Sequence, residues 1–231
     1  MYTNKQQNSK KFDINKTEKP AVTVDVLIFS IQDNDLQVLL IKRGIPPFKD
    51  MWAIPGGFVR TEESLESAAM RELLEETGVK NVYLEQLYTF GDPFRDPRTR
   101  VITVAYFALI PAESTKLQAS TDASDAQWYS VKELPALAFD HKEIVKAGIE
   151  RLRSKIGYSN IVYGLLPNEF RLSELQKVYE VILNQKVDKR NFRKKMLSLQ
   201  LLESTGKREI DGAHRPAMLY RFKSRKTVIF D

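Results

Sequence analysis

Apolar and polar positions change period several times along the chain, and the changes mark out its elements. Residues 21–31 form a mostly apolar, β-branched run, and residues 36–41 form a second. Asp33 and Asn34 between them suit a tight turn, so the pair predicts a β-hairpin. A loop with Gly44, Pro46 and Pro47 follows, then a short strand at 52–54 halted by Pro55-Gly56-Gly57. Over 61–77 the period becomes helical. Leu65, Ala68, Ala69 and Leu73 share one face, Thr61 suits the N-cap, Glu62, Glu63 and Glu66 suit the positive end of the dipole, and Gly78 stops the helix. Strand patterns occupy 82–90, 101–109 and 126–130, and a second helix runs from Asp140 to about residue 155. Strands with two separated helices predict an α/β domain, a mixed sheet sandwiched between helices.

The pattern shifts after Gly and Pro interrupt it at 158–167. Residues 173–184 are amphipathic through Leu175, Val178, Tyr179 and Ile182. Residues 188–199 form a strongly basic helix, capped by Asp188, with Phe192, Met196 and Leu199 turned inward. Two short strands at 201–203 and 218–222 flank a charged loop holding Lys207, Arg208, His214 and Arg215. The expected organisation is a polar, Lys-rich mobile tail at 1–19, a first domain at 20–157 and a second at 158–231.

Composition narrows the chemistry. Of 231 residues, 42% are hydrophobic and 29% charged, the balance of a globular protein. No apolar run approaches the ~20 residues of a membrane span, and the N-terminus has no signal-peptide core, so a cytoplasmic location without membrane partners is expected. The absence of cysteine excludes disulfides, thiolate catalysis and cysteine-held zinc. With only His141 and His214 as histidines, any metal should be a hard cation on oxygen ligands. Residues 161–231 carry 15 Lys and Arg against 8 Asp and Glu, while 1–160 carry 21 against 22. The basic second domain points to nucleic acid or to a solvated basic face.

One segment carries strong chemical information. Gly57 is followed after five residues by Glu63, and after seven more by Arg71-Glu72-Leu73-Leu74-Glu75-Glu76-Thr77-Gly78-Val79. Glu72 lies three and four residues from Glu75 and Glu76, so the carboxylates crowd one helix face at a cost of roughly 0.2–0.5 kcal/mol per pair. Such crowding suits Mg²⁺ or Mn²⁺, although a solvated acidic face is the alternative. Arg71 can orient a carboxylate, and Gly56 with Gly57 can present a carbonyl to the metal. The spacing matches the Nudix box at every defined position. Residues 90–100 add Arg95, Arg98 and Arg100, suited to phosphates, and Phe90 or Phe94, suited to stacking on a base; an ordinary charged loop is the other reading. Arg43 is a further candidate for the substrate. Trp52 reads as core and His141 as a helix start.

The two basic-domain helices form a helix–turn–helix candidate. Lys189, Arg190, Asn191, Arg193, Lys194 and Lys195 would meet DNA from the second helix, and Lys207, Arg208 and Arg215 from a wing. A dimerisation or lid domain is the alternative. With the segments 38–44, 55–59, 88–92 and 188–195, the chain from about 21 to 222 resembles the Nudix-related transcriptional regulators of NAD metabolism. The resemblance implies a Nudix α/β/α sandwich followed by a small winged helix-turn-helix domain. It implies Glu72, Glu75 and Glu76 as metal ligands, with Glu75 or Glu76 assisting deprotonation; with Gly56 and Arg71 from the residue reading, the expected metal set is Glu72, Glu75, Glu76 and Gly56 and the catalytic set Glu75, Glu76 and Arg71. It also implies an operator affinity that responds to ADP-ribose or a similar nucleoside diphosphate sugar, and a two-fold operator calls for a homodimer. Many such regulators have lost box glutamates, whereas this box is intact, so hydrolysis is expected too. A plain ADP-ribose pyrophosphatase and a catalytically silent ligand-gated repressor remain the other readings.

Overall fold

The computed structural model of the chain describes residues 19–78, 80, 82–114, 123–209 and 216–230. The expected mobile tail, apart from Lys19, lies outside the described residues, as do Val79, His214 and Arg215.

β1 (Ala21–Gln32) and β2 (Asp35–Arg43) form the hairpin, turned by Asp33 and Asn34 at φ 49° and 61°. Two successive positive φ values match the twist of the flanking strands, and Asp and Asn tolerate them. Away from the turn the two strands splay apart. β3 (Trp52–Ala53) pairs with the far end of β2, and β4 (Gly56–Phe58) pairs with the early part of β1. β3 stops before Pro55 as expected, but a further strand that the sequence did not announce begins at Gly56. Both glycines are in a strand, because β1 offers its edge where β2 has left it.

β5 (Tyr83–Phe90) and β6 (Val101–Leu109) are antiparallel, and β6 runs parallel to β1. β7 (Ala123–Ser130) pairs with the outer edge of β2 and starts earlier than its pattern suggested. The order is β7-β2-β1-β6-β5, with β3 and β4 in the wedge.

α1 (Leu65–Thr77) covers one face, where Ala68, Ala69 and Leu73 meet Val24, Val26, Ile28 and Val104. It starts later than Thr61. Ser64 is the N-cap, and its Oγ accepts from Ser67 N at 3.1 Å. The reason lies in Glu63, whose carboxylate accepts from Arg60 N at 2.8 Å and so closes a turn ahead of the helix. Gly78 ends the helix in the left-handed region, φ 68°. α2 (His141–Lys155) covers the opposite face through Ile144, Val145 and Leu152.

The second domain consists of β8 (Phe170–Arg171), α3 (Leu172–Leu183), α4 (Lys189–Ser198), β9 (Leu202–Glu209) and β10 (Ala217–Phe222). Asn184 stops α3 with a left-handed C-cap, and Asp188 caps α4 by accepting from Asn191 N at 2.8 Å. The small sheet has the order β8-β10-β9. β9 is longer than expected, because β10 pairs with it as far as Glu209. Lys207 and Arg208 are therefore strand residues, not loop residues.

The two domains share one core. Ile161, Val162, Leu165 and Leu166 in the connecting segment are buried, and they join Leu27 and Phe107 of the first domain to Phe170, Leu175 and Phe222 of the second. A Cβ on Gly164 would come within 2.8 Å of Leu109 Cβ, so only glycine lets the connection lie this close. Arg225 reinforces the seam by donating to Tyr163 O at 2.5 Å and Leu166 O at 2.9 Å. Phe170 is fully buried in this core. Phe170→Ala should cost about 3–5 kcal/mol, and calorimetry should show both domains unfolding in one transition. Two separated transitions would contradict the shared core.

Candidate functional site

A cavity of about 720 Å³ opens between the loop after β2, strands β1 and β4, helix α1, the 95–98 segment and the start of α2. Its size falls within the roughly 300–1,000 Å³ of small-ligand sites. One end is acidic. Glu72 and Glu76 are buried on the inner face of α1, while Glu75 is more exposed at the rim. All three line the cavity with Gly56 and Gly57.

Arg71 organises this end. Its guanidinium makes a fork on Glu63, with Nε at 3.1 Å and Nη2 at 2.8 Å, and Nη1 donates to Glu72 at 2.6 Å and Glu75 at 3.4 Å. Nη2 also reaches the Phe58 carbonyl at 3.3 Å. The hydrogen bond from Arg71 holds the Glu63 carboxyl down at about 2. That depressed value means the pair is fully formed above the ordinary carboxylate range, and it is lost only as pH falls from 4.5 through about 2. Glu72 moves the other way. Burial raises its pKa, partly offset by Arg71.

The donor set fits a hard divalent cation. A Cβ on Gly57 would lie 2.3 Å from Glu72 Oε1, so the glycine leaves a cradle beside a buried carboxylate. Among the described residues no three acidic or histidine side chains gather closely enough to hold a metal alone. Mg²⁺ commonly takes one or two protein carboxylates and fills its shell with water and phosphate oxygens. Glu72 and Glu76, with Glu75 and Gly56 lining the same end of the cavity, are the residues that would hold it. When bound, such a cation polarises a phosphate oxygen and makes its water a better nucleophile. Gly57→Ala should displace the Glu72 carboxylate and weaken Mn²⁺ binding about tenfold or more, roughly one lost charge-assisted contact, with the helical circular-dichroism signal unchanged. Unaltered Mn²⁺ affinity in a titration would rule out this cradle.

The other end is cationic and aromatic. Arg43 lies over the Phe139 ring at 4.8 Å and donates to Pro47 O at 2.9 Å. Burial, and then Arg98, lower its pKa. Arg98 lies over the exposed ring of Phe58 at 5.6 Å and pairs with Asp96 at 2.7 Å. Arg95 is buried, with Asp140 at 2.6 Å and Asp25 at 3.5 Å. His141 accepts from Ile54 N at 2.9 Å through Nδ1, and burial lowers its pKa, so the ring is neutral with its proton on Nε2, 3.7 Å from Asp25.

Of the residues singled out from the sequence, Arg43, Gly56, Arg71, Glu72, Glu75, Glu76, Arg95 and Arg98 line this one cavity. Phe90 and Arg100 do not. Phe90 packs against Tyr88 with ring centroids 5.5 Å apart, and Arg100 turns back onto Gly91 O at 2.8 Å. Phe94 is 89% exposed and also stands apart, while Trp52 packs edge-on against Tyr129. Asp25, Phe58, Asp96, Phe139 and His141 line the cavity without having been singled out as ligand contacts. Asp25 left a signal: it is the lone charge inside the apolar run of β1.

On α4, the side chains of Lys189, Arg190, Asn191, Arg193, Lys194 and Lys195 are all exposed, while Phe192 and Met196 turn inward. Among the described residues none of the five basic side chains has an ion-pair partner. On the small sheet Lys207 pairs with Glu169 at 2.9 Å and Arg221 with Glu203 at 2.7 Å, and Arg208 is exposed.

A mixed-sheet sandwich with an acidic helix at a cavity, joined to a basic helix–turn–helix with a wing, defines a Nudix protein carrying a winged helix. The NUDIX domain family matches residues 21–148, and the NrtR DNA-binding winged helix domain family matches residues 162–222. An ADPR-responsive transcriptional repressor from Acinetobacter baylyi is 41% identical over 207 residues, which is 88% of this chain and 82% of that one. An ADP-ribose pyrophosphatase from Methanocaldococcus jannaschii is 40% identical, over 59% of this chain and 79% of its own. Shewanella oneidensis NrtR, solved with a 27mer DNA, is 38% identical with a TM-score of 0.79, covering 87% of this chain and 93% of that one. Its NUDIX domain, solved with ADP ribose, is 37% identical with a TM-score of 0.54, over 62% and 94%. The chain belongs to the NrtR family of Nudix proteins with a winged helix domain.

Proposed function

We propose that this chain is an ADP-ribose-responsive transcriptional regulator that also hydrolyses ADP-ribose. The observation carrying the reading is a single cavity with carboxylates at one end and guanidiniums with aromatic rings at the other. A nucleoside diphosphate sugar presents the complementary groups, a diphosphate between two ring systems. Arg98 and Arg95 supply forks for phosphate oxygens, and Phe58 and Phe139 supply faces for the rings. Glu72, Glu75 and Glu76 would hold Mg²⁺ or Mn²⁺, Arg71 keeps the Glu72 and Glu75 carboxylates in place, and Glu75 or Glu76 would take the proton of the attacking water. Two named relatives, the repressor and the pyrophosphatase, respond to or cleave ADP-ribose by their descriptions.

The exposed basic face of α4 enters the major groove of an operator, with Arg208 of β9 adding charge from the wing. A two-fold operator calls for a homodimer, and the chromosome places the protein in the cytoplasm. Calorimetric titration with ADP-ribose and Mg²⁺ should give one site per chain, weakened about tenfold in Arg98→Ala through loss of a charge-assisted contact. Absence of binding to wild type would overturn the assignment of the cavity.

A further inference from the structure

We propose that Asp140 is the residue through which occupancy of the cavity reaches the winged helix domain. The inference rests on the reading of the cavity as an ADP-ribose site and adds its route of regulation. Asp140 stands at the N-cap of α2, where an aspartate ordinarily accepts from first-turn N–H groups. Its side chain makes no such bond. Arg95 holds the carboxylate instead, with Nε at 2.9 Å and Nη2 at 2.6 Å. That guanidinium lines the cavity, and Asp140 stands behind it. A diphosphate entering the cavity competes for the same fork, because phosphate and carboxylate engage a guanidinium alike.

The backbone beside this pair is held away from its relaxed range. Phe139 has φ 53°, a left-handed value that is strained for a bulky side chain. Asp140 has φ −94° and ψ 20°, not the extended geometry of an N-cap. Two arrangements therefore compete. In one, Asp140 is on Arg95 and the helix end lacks its side-chain cap. In the other, Arg95 is on the ligand, residue 140 becomes extended to cap α2, and Phe139 relaxes.

α2 carries the difference to its far end, roughly 22 Å away at 1.5 Å per residue. There Arg153 Nε donates to Ile182 O of α3 at 3.0 Å. α3 in turn packs on the DNA-facing helix through Tyr179 and Phe192, with ring centroids 5.2 Å apart. The buried seam between the domains leaves little slack along this path.

The test uses the full chain, wild type and Asp140→Asn. Each is titrated with ADP-ribose by calorimetry, and with a duplex that wild type selects from a randomised pool, by fluorescence anisotropy with and without saturating ADP-ribose. Asparagine keeps a capping oxygen but gives up the charge that Arg95 holds. ADP-ribose should change wild-type duplex affinity by about fivefold or more, and that of the variant by less than about twofold, although the variant still binds ADP-ribose. Asp140→Ser, another capping residue unable to hold Arg95, should behave the same way, which guards against a folding fault in one variant. Wild-type coupling in both variants overturns the proposal. Loss of ADP-ribose binding in both also overturns it, because Asp140 would then build the receptor and not relay its occupancy. If wild type itself shows no response to ADP-ribose, the proposed function falls first and the inference with it.

Discussion

Glu76→Gln should lower kcat for Mg²⁺-dependent ADP-ribose hydrolysis by about 10²- to 10⁴-fold, the range spanned by a positioned acid–base group. The substitution is nearly isosteric, so it leaves no cavity in α1. What it replaces is a carboxyl oxygen at a buried position one turn from Glu72. Binding of ADP-ribose should survive better than turnover, because Arg95 and Arg98 are untouched. Duplex binding without ADP-ribose should be unchanged, because the substitution lies in the first domain and alters no residue of α4. Phosphate release with both proteins measures the effect. Equal turnover would remove Glu76 from the reaction, and no turnover by wild type would make the intact box a binding site only.

Lys189→Ala, Lys194→Ala and Lys195→Ala combined should weaken duplex binding by about 500-fold at 0.1 M salt. The figure follows from counterion release, with a log–log salt slope of roughly 0.9 per phosphate contact. The slope itself should fall by about 2.7. These lysines are exposed without described ion-pair partners, so their charges are available to phosphates. Lys207→Ala should do much less, because Glu169 already neutralises that ammonium at 2.9 Å. A slope equal to that of wild type in the triple variant would mean that DNA does not meet this face of α4.

How far the sequence carried these conclusions depended on whether the signal was local. The hairpin at Asp33-Asn34, the end of α1 at Gly78 and the Asp188 cap of α4 were legible because one or two residues dictate backbone geometry there. The box was legible for a similar reason: helical spacing alone brings its glutamates to one cavity. Partners distant in sequence were not legible. Arg95 finds Asp140 across 45 residues, and His141 finds Ile54 across 87. Such pairs exist because the loop after β5, the link between β3 and β4 and the start of α2 converge around Asp25 of β1, which no local pattern announces. The start of α1 differs because Thr61 and Ser64 are both competent caps, and the turn that Glu63 closes on Arg60 N decides between them. β4 was missed because Pro55-Gly56-Gly57 looks like a break until β1 supplies its edge. Phe90 and Arg100 looked suited to a ligand by residue type, yet their side chains turn to Tyr88 and Gly91.

A metabolite in the Nudix cavity should govern the grip of the winged helix on DNA. Fluorescence anisotropy of the selected duplex with the full-length wild-type protein, at increasing ADP-ribose and fixed Mg²⁺, tests it most directly. Duplex affinity should change saturably by about fivefold or more, with its midpoint at the calorimetric Kd for ADP-ribose. An affinity that stays constant while calorimetry shows the cavity filled would contradict it.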